Sequence, residues 1–407
     1  MDIRDVPEAH LDRALELAYL VFHEKPDEEK RKHHRELMRP CERIGAYDGD
    51  TLAGFVAAHP FTLSVPGGEL PCPGLTFVSV APTHRRRGVL SAMIAELFRR
   101  ATAQGRPLAA LWASEDAIYG RFGFAPATQG LSVEIDSRRP LALRVDPDER
   151  PLRLVDPADA PAVVGPYFDA TRAVRAGRIA RDAERWRGEW LPEDAEEDAE
   201  LSPPRIVALG DPGGPLAGYA VYRTKGGNDD TGTPGVVRVD ELEADDAAGA
   251  AALWRYIASI DLTGTVRAWG RPVDDPLLLF AADRDQVRVT GLHPGLWVRL
   301  IDVRAALTAR AWAAGADLVL EVRDPHLAAN AGRFRLTATA RGCAYEPTGD
   351  APDLTLDVRE LSACYLGGTR VRHLVRAGLV DEHTAGAADR LDAALRTDPA
   401  PHTADEF

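Results

Sequence analysis

A basic, glycine-containing stretch follows an apolar run in the first third of the chain. The run Leu75–Val80 predicts a buried strand, and Arg85-Arg86-Arg87-Gly88-Val89-Leu90 leads from it into a helix predicted over Val89–Gln104. Gly88 lets the backbone approach a ligand closely, and the N–H groups at a helix start form a nest for an anion. The flanking guanidinium groups add charge that suits phosphate oxygens. The stretch therefore indicates a phosphate-bearing ligand; the alternative is a basic helix start that binds nothing.

The strand before this stretch must be open on one side for an extended ligand to reach the helix. If Leu75–Val80 diverges at its C-terminal end from the next strand, predicted over Leu108–Ala113, its backbone groups can pair with that ligand. The same region has a predicted helix and hairpin, Leu11–Phe22 and then Arg43–Tyr47 and Leu52–Ala58 around Asp48-Gly49-Asp50. We expect an α/β (α+β) domain with a sheet core over residues 1–140.

Residues 141–290 repeat this order of elements. The predicted elements are a helix over Ala160–Ala176, strands over Arg205–Leu209, Leu216–Tyr222 and Val236–Leu242, a helix over Ala247–Leu262 and a strand over Val266–Trp269. Glu243-Ala244-Asp245-Asp246 stands where the first region has its arginines and glycine. Because carboxylates repel a pyrophosphate, we predict that this second copy binds no cofactor.

Residues 291–407 form a third region with short elements and an irregular end. The predicted strands are Leu296–Leu300, Leu318–Val322, Arg333–Ala338 and Leu354–Leu356, and the predicted helices are Val303–Ala313, Arg359–Leu366 and Ala385–Leu395. Beyond Arg396 the residues Pro399 and Pro401 predict an extended tail. Such a tail is ordinarily frayed.

Length and charge exclude several classes of protein. The 407 residues predict two to three domains, and no segment approaches the ~18 uncharged apolar residues of a membrane span. The acidic amino terminus has no signal-peptide core, which predicts an intracellular protein. A net charge of −14 disfavours nucleic acid and is compatible with a cationic substrate. Much of the acidic excess lies in Pro192–Glu200, which predicts an exposed loop.

Cysteine and histidine usage gives no sign of a metal site. The four cysteines form no C-x-x-C pair, which argues against a structural zinc site and for a reducing compartment. His33-His34 lies in the charged run DEEKRKHHRE. We predict a solvated helical face there, with metal binding as the alternative.

Two long segments make the chain recognisable. LTFVSVAPTHRRRGVLSAMIAELFRR and ALWASEDAIYGRFGFAPAT closely resemble the enhanced intracellular survival (Eis) family, which belongs to the GCN5-related N-acetyltransferase (GNAT) superfamily. The resemblance covers the whole chain. It implies a catalytic GNAT domain over 1–140, a degenerate GNAT-like domain over 141–290, and a sterol-carrier-protein-like domain over 291–407 whose tail completes the active site.

The resemblance also implies how acetyl-CoA, the acetyl donor, is bound without a metal. Val78, Ser79 and Val80 would offer backbone groups to the pantetheine arm, and the Val80 N–H would stabilise the oxyanion that forms at the thioester. The pyrophosphate would lie on the loop and helix start, formed by Arg85, Arg86, Arg87, Gly88, Val89, Leu90 and Ser91. Ser114 and Glu115, at the end of the paired strand, would face the cofactor.

Proton transfer would use two residues far apart in sequence. By resemblance, Tyr119 protonates the departing thiolate, which is chemically reasonable because a phenol of pKa about 10 can donate to a thiolate of pKa about 8.5. On spacing alone, aromatic packing is the alternative, as we expect for Phe122 and Phe124. The general base would be the α-carboxylate of Phe407, if burial raises its pKa above the usual value near 3.5.

Substrate binding by resemblance involves aromatic and acidic residues. Phe22 and Glu24 lie at the end of the first helix, Phe77 adds an aromatic wall, and Glu406 adds a second carboxylate. Glutamate at position 24 stands where the family has aspartate, and an ordinary exposed helix residue is the alternative role. Acids and aromatics around one pocket suit a cationic amine.

The expected activity is therefore acetyl transfer to primary amines of a small cationic substrate such as an aminoglycoside, with polyamines and protein lysines as further candidates. The resemblance implies a homohexamer. The amino terminus, the lack of a long apolar segment and the net charge predict a cytoplasmic protein that binds neither membrane nor nucleic acid. The alternatives are a non-catalytic acetyl-CoA sensor and a carrier protein for apolar ligands.

Overall fold

The computed structural model describes residues 1–191, 200–227 and 232–407, without the side chains of Glu189 and Trp190, and they divide into two compact units. The first unit consists of Met1–Thr128, Leu296–Pro401 and Glu406–Phe407, and the second of Gln129–Gly295 and His402–Asp405. The acidic run predicted as an exposed loop lies, apart from Glu200, outside the described residues. In the described part of the chain, no helix has the length and apolarity to cross a bilayer.

The first unit contains a seven-stranded sheet in the order β1-β2-β3-β4-β5-β14-β6. Its strands are β1 (Asp2–Asp5), β2 (Glu42–Asp48), β3 (Thr51–Val65), β4 (Gly68–Val80), β5 (Leu108–Leu111), β6 (Ala125–Pro126) and β14 (Trp297–Leu300). Four helices accompany it, α1 (Leu11–Phe22), α2 (Glu28–Met38), α3 (Val89–Ala103) and α4 (Asp116–Tyr119). The apolar side of α3 packs on the sheet through Met93, Ile94 and Leu97.

A second sheet of this unit has the order β17-β16-β15-β18-β19. Its strands are β15 (Ala316–Arg323), β16 (Gly332–Thr339), β17 (Gly342–Pro347), β18 (Leu354–Asp357) and β19 (Val380–Glu382). The helices of this part are α10 (Val303–Ala309), α11 (Val358–Tyr365), α12 (Val371–Arg376) and α13 (Ala387–Leu395). After α13 the chain is irregular, as Pro399 and Pro401 predict.

The second unit contains another seven-stranded sheet, in the order β13-β7-β12-β11-β10-β9-β8. Its strands are β7 (Gln129–Asp136), β8 (Leu152–Val155), β9 (Arg205–Leu209), β10 (Gly218–Lys225), β11 (Gly235–Ala244), β12 (Thr263–Pro272) and β13 (Val287–Pro294). Its helices are α5 (Ala160–Val163), α6 (Gly165–Arg172), α7 (Ala183–Arg185), α8 (Ala247–Ala258) and α9 (Leu277–Phe280).

The two large sheets do not follow the boundaries expected at residues 140 and 290. The strand β7 pairs with β12 and belongs to the second unit, whereas β14 inserts between β5 and β6 of the first. Hydrophobic patterning indicates that a segment is a strand, but it does not identify the strand's partner. The helix expected over Ala160–Ala176 is also divided into α5 and α6, with Pro166 at the start of the second piece.

Candidate active site

The strands β4 and β5 separate at one end, which opens a backbone edge. Among the described residues, β4 pairs with β5 only at Gly74↔Ala110 and Leu75↔Leu111, although β4 continues to Val80. On its other side β4 stays paired with β3 as far as Val80. The divergence that the strand needed for an extended ligand is therefore present.

The direction of the free backbone groups follows from the β3–β4 ladder. The N–H of Ala81 donates to the Ala53 carbonyl on β3, at 2.9 Å. Because backbone groups of successive strand residues point to opposite edges, those of Val80 and Val78 point towards the open side. An N–H at Val80 can thus serve an oxygen of a ligand lying in the gap.

A bulge at Phe77 interrupts β4 where it begins to diverge. The register passes from Ala57↔Thr76 to Phe55↔Ser79, so β4 has one residue more than β3, and Phe77 has a φ of +51°. Bulges bend a strand and are frequent beside active sites. The Ser79 hydroxyl is buried and has no hydrogen-bond partner among the described residues.

The loop after β4 delivers an uncapped helix start. Arg86 and Gly88 both have positive φ, +61° and +78°, and Gly88 is the N-cap residue of α3 with no side-chain cap. Gly88 therefore offers no N-cap side chain to the N–H groups at that end, from Val89 to Ser91. Arg85, Arg86 and Arg87 are exposed around them, and Arg87 lies 3.4 Å from Asp48. This geometry fits a pyrophosphate.

Replacing Gly88 by alanine should weaken acetyl-CoA binding. A Cβ at Gly88 would meet no atom of the described residues within 4 Å, so the change adds only backbone strain at a φ of +78°. A left-handed residue other than glycine costs about 1–2 kcal/mol, so we expect the KM for acetyl-CoA to rise about 5–30-fold. The control is Gly105→Ala, at the other end of α3, where φ is +65° and space is equally open. It should leave KM unchanged; equal KM values for both variants would contradict the assignment.

Ser114, Glu115 and Tyr119 follow the end of β5. Ser114 and Glu115 are exposed, and Glu115 is the N-cap residue of α4, which ends at Tyr119. The Tyr119 ring is 6 % exposed, packs edge-on against Phe124 and belongs to the same apolar cluster as Val78 and Val80. Burial and the nearby Glu115 raise the pKa of Tyr119 to about 12. The phenol is thus protonated at neutral pH.

The last residue of the chain is docked on the first sheet. The Phe407 ring lies edge-on to the rings of Phe61 and His59, with centroids 4.7 and 6.3 Å away. Gly74 makes room for it, because a Cβ there would stand 2.9 Å from the Phe407 ring. Gly74 and Leu75 are the two residues of β4 that pair with β5 before the strands diverge, so the ring marks the base of the opening.

The predicted substrate residues lie on separate segments of the first unit. Phe22 ends α1 and is 40 % exposed, and Glu24 is exposed and lies 3.7 Å from Lys30. The half-buried Phe77 packs against the cluster of α1 and β3. Glu406 is exposed next to the docked Phe407. Burial and, second, the charge of the nearby Glu24 raise the pKa of Tyr19 to about 12.

His34 corrects the prediction of a solvated helical face. Helix α2 is present, but His34 is 7 % exposed, 2.9 Å from the Tyr19 hydroxyl, and edge-on to Phe77 at 5.1 Å. The signal in the sequence was Met38 one turn later, which shares the buried face. His59, which contacts Phe407 and lies 3.3 Å from the Cys41 sulfur, was also missed. A lone histidine in an apolar strand gives no indication of its partners.

The second unit has the same strand divergence but fills it with its own side chains. Asp245 donates its N–H to Ala217, as Ala81 does to Ala53, so the Leu242 carbonyl points to the open side. The Arg271 guanidinium donates to that carbonyl at 3.1 Å. The loop is reduced to Asp245 and Asp246, and Asp246 caps α8 at the Gly249 N–H. The strand edge and the helix start, which would hold a cofactor, are thus already hydrogen-bonded to side chains of this unit.

Comparison with known proteins gives the class. Family models described as acetyltransferase (GNAT) domain match residues 2–127 and, with a different model, 177–304, and one described as sterol carrier protein domain matches 303–404. The crystal structure of Eis1 from Mycobacterium abscessus superposes with a TM-score of 0.86 at 32% identity over 100% of both chains. The fold thus consists of two GNAT domains and a sterol-carrier-like domain, as expected, and the chain is an N-acetyltransferase.

Curated relatives give the family. N-acetyltransferase Eis from Mycobacterium tuberculosis is 35% identical over 381 residues, 90% of this chain and 88% of the relative. An uncharacterised N-acetyltransferase from Streptomyces coelicolor is 40% identical over 380 residues, 90% of each chain. The chain belongs to the Eis family. GNAT acetyltransferases use acetyl-CoA, whose pyrophosphate the loop at Gly88 fits.

Proposed function

We propose that the chain transfers acetyl from acetyl-CoA directly to a primary amine of a small cationic substrate such as an aminoglycoside. The catalytic part lies within residues 1–140, whose strand β7 belongs to the second unit, and it is completed by the tail of residues 291–407. The observation that carries the proposal is the open edge of β4, which leads from the docked Phe407 to the uncapped start of α3. A carrier of apolar ligands would need neither the arginine loop nor that edge.

Separate groups of the chain bind the cofactor, stabilise the oxyanion and transfer protons. The backbone of Val78, Ser79 and Val80 aligns the pantetheine arm, and the Val80 N–H donates to the thioester oxygen as negative charge develops there. The Phe407 carboxylate accepts a proton from the substrate ammonium, and the neutral amine then attacks the thioester carbonyl. As the C–S bond breaks, the Tyr119 phenol donates a proton to the departing sulfur. No covalent enzyme intermediate is required.

Charge and aromatic surface favour a cationic acceptor. Glu24 and Glu406 are exposed carboxylates, and Phe22 and Phe77 supply ring faces in the same unit. The net charge of −14 adds a long-range attraction for polyamines and aminoglycosides. Glutamate at position 24 extends one methylene further than aspartate, so we propose a substrate range different from that of relatives with aspartate.

An assay of CoA release tests the function. Mixing the chain with acetyl-CoA, a thiol reagent and a panel of aminoglycosides, polyamines and lysine peptides should release CoA with at least one aminoglycoside. Mass spectrometry should show one or more added acetyl groups on that product. Binding of acetyl-CoA without turnover across the panel would favour the sensor.

We propose one cofactor per chain and six chains per assembly. Residues 141–290 are a GNAT-like domain without a cofactor, so one acetyl-CoA binds per chain, which calorimetry measures directly. By resemblance to the Eis family the chain forms a homohexamer in the cytoplasm. Light scattering should give six times the chain mass of 44.1 kDa.

A further inference from the structure

The divergent strands of the second unit hold a segment of the chain's own tail. In the described part of the chain, strands β11 and β12 pair no further than Val239↔Ala268, yet β11 continues to Ala244 and β12 to Pro272. Residues His402–Asp405 belong to this unit and lie beyond the last β11–β12 pair. His402 contacts Gly270 on β12. Asp405 contacts Arg181, which in turn contacts Glu241 on β11. The segment thus lies at the gap between them, together with the Arg271 side chain.

His402 fixes the segment to β12. Its Nε2 donates to the Gly270 carbonyl, and its backbone N–H donates to the Ala176 carbonyl at 2.9 Å. Gly270 has a φ of +66° and lies in a bulge of β12 opposite β7, which takes its carbonyl out of the regular ladder. His402 is 3 % exposed, so its hydrogen bond to Gly270 is shielded from solvent.

Asp405 fixes the segment to β11 through a buried arginine. Arg181 donates from Nε to Asp405 at 2.7 Å and from its two terminal nitrogens to Glu241 at 2.9 and 3.0 Å. The Arg181 side chain is fully buried, and the side chains of Asp405 and Glu241 are each 2 % exposed. The Thr403 hydroxyl donates to Asp405 and accepts from its N–H, both at 3.1 Å. The Thr403 hydroxyl, the Asp405 carboxylate and the Asp405 N–H therefore all have specific hydrogen-bond partners.

We propose that the strand gap of the second unit is a peptide-binding groove whose ligand is the segment His402–Asp405. The second GNAT-like domain, for which we propose no cofactor, thus binds the C-terminal tail instead. Arg181 recognises the acidic side chain, and the Gly270 carbonyl recognises the imidazole donor. The consequence for turnover rests on the proposed function, because Asp405 is two residues from the terminal carboxylate.

Hydrogen exchange on the full-length chain tests the groove. In Arg181→Leu the amides of His402 and Asp405 should exchange at least about tenfold faster than in the wild type. Arg138→Leu is the control, since Arg138 also pairs with an aspartate of this unit, Asp136, but is exposed. Asp405→Asn, which alters only the tail, is the second variant and should give the same increase. Unchanged exchange at the tail in both Asp405→Asn and Arg181→Leu would overturn the proposal.

Kinetics on the same variants separate the two proposals. A held tail that carries the base predicts a lower kcat at an unchanged KM for acetyl-CoA in Asp405→Asn. Faster exchange with wild-type kcat would support the groove and contradict the terminal base. Circular dichroism, unchanged from wild type, shows that the effect comes from the tail and not from unfolding.

The same contact makes the groove sensitive to acid. Burial, with Arg271 and Arg175 nearby, lowers the pKa of His402 to about 3, although the Gly270 carbonyl and Glu243 act in the other direction. Because the native pKa lies below the unfolded value of about 6.5, neutral His402 contributes its full stability above pH 6.5 and loses it as the pH falls towards 3. Asp405 has a lowered pKa, since Arg181 and Arg185 outweigh its burial, and stays ionised over most of that range.

His402→Gln provides the comparison, because an amide can still donate to Gly270 and does not titrate. Between pH 7 and 4.5, the wild-type Tm should fall more than that of the variant. The tail amides of the wild type, corrected for intrinsic exchange, should also lose more protection. Parallel Tm curves over this range would remove His402 as the titrating contact.

Discussion

Replacing Tyr119 by phenylalanine is expected to lower kcat by about 10²–10⁴-fold while leaving the KM for acetyl-CoA nearly unchanged. The phenol is the proposed donor to the leaving thiolate, and phenylalanine keeps the ring that packs against Phe124. Because burial and Glu115 raise the pKa of Tyr119 to about 12, the donor form persists throughout the usual assay range. The wild-type kcat should therefore show no descending limb from this group below about pH 11.

The matched control is Tyr345→Phe in the same unit. The Tyr345 hydroxyl is also buried and has no hydrogen-bond partner among the described residues, and burial raises its pKa as well. Its removal should leave kcat within about twofold, because a buried hydroxyl without a partner contributes little to folding or catalysis. A Tyr119→Phe enzyme with full kcat would assign Tyr119 to packing, the alternative that its aromatic neighbours Phe122 and Phe124 represent.

The loop that we propose as the cofactor site could be located from the sequence because its signals are local. Gly88 and the arginines before it are contiguous with a strand and an amphipathic helix, so spacing alone places the loop between them. The left-handed φ of Arg86 and the bulge at Phe77 were not predictable, since neither residue type favours positive φ. The bulge nonetheless shifts the β3–β4 register by one residue just before Val78 and Val80, and Arg86 lies in the loop that leads to the start of α3.

The placement of β7 and β14 in the two large sheets, and the contacts of the tail, could not be predicted from the sequence because they join distant residues. Trp297–Leu300 reads as a strand wherever its partners lie, and only pairing with β5 assigns it to the first sheet. Arg181 and Asp405 are 224 residues apart, and an acidic residue near a chain end ordinarily predicts solvent exposure. In the second copy, the loss of the loop was visible as Glu243-Ala244-Asp245-Asp246, whereas the tail that lies at its strand gap was not.

Residues appended after Phe407 are expected to lower kcat by about 10²–10⁴-fold, because a terminal carboxylate that acts as general base cannot survive as an amide. A Gly-Ser extension converts that group to a peptide bond and changes no side chain. Acetyl-CoA should bind as before, since the loop at Gly88 lies at the other end of the β4 edge. Calorimetry and CoA release on the same sample measure the two effects separately.

Phe407→Ala distinguishes proton transfer from docking. It keeps the carboxylate but removes ring contacts to Phe61 and His59, each worth about 0.5–1.5 kcal/mol for an aromatic pair. If the ring only positions the carboxylate, kcat should fall by less than in the extended chain, and Phe407→Leu should recover part of the loss. Wild-type turnover in the extended chain would exclude the terminal base. The docked ring would then be only an anchor, and the base would have to be sought among side chains near Gly74, where His59 is a buried imidazole.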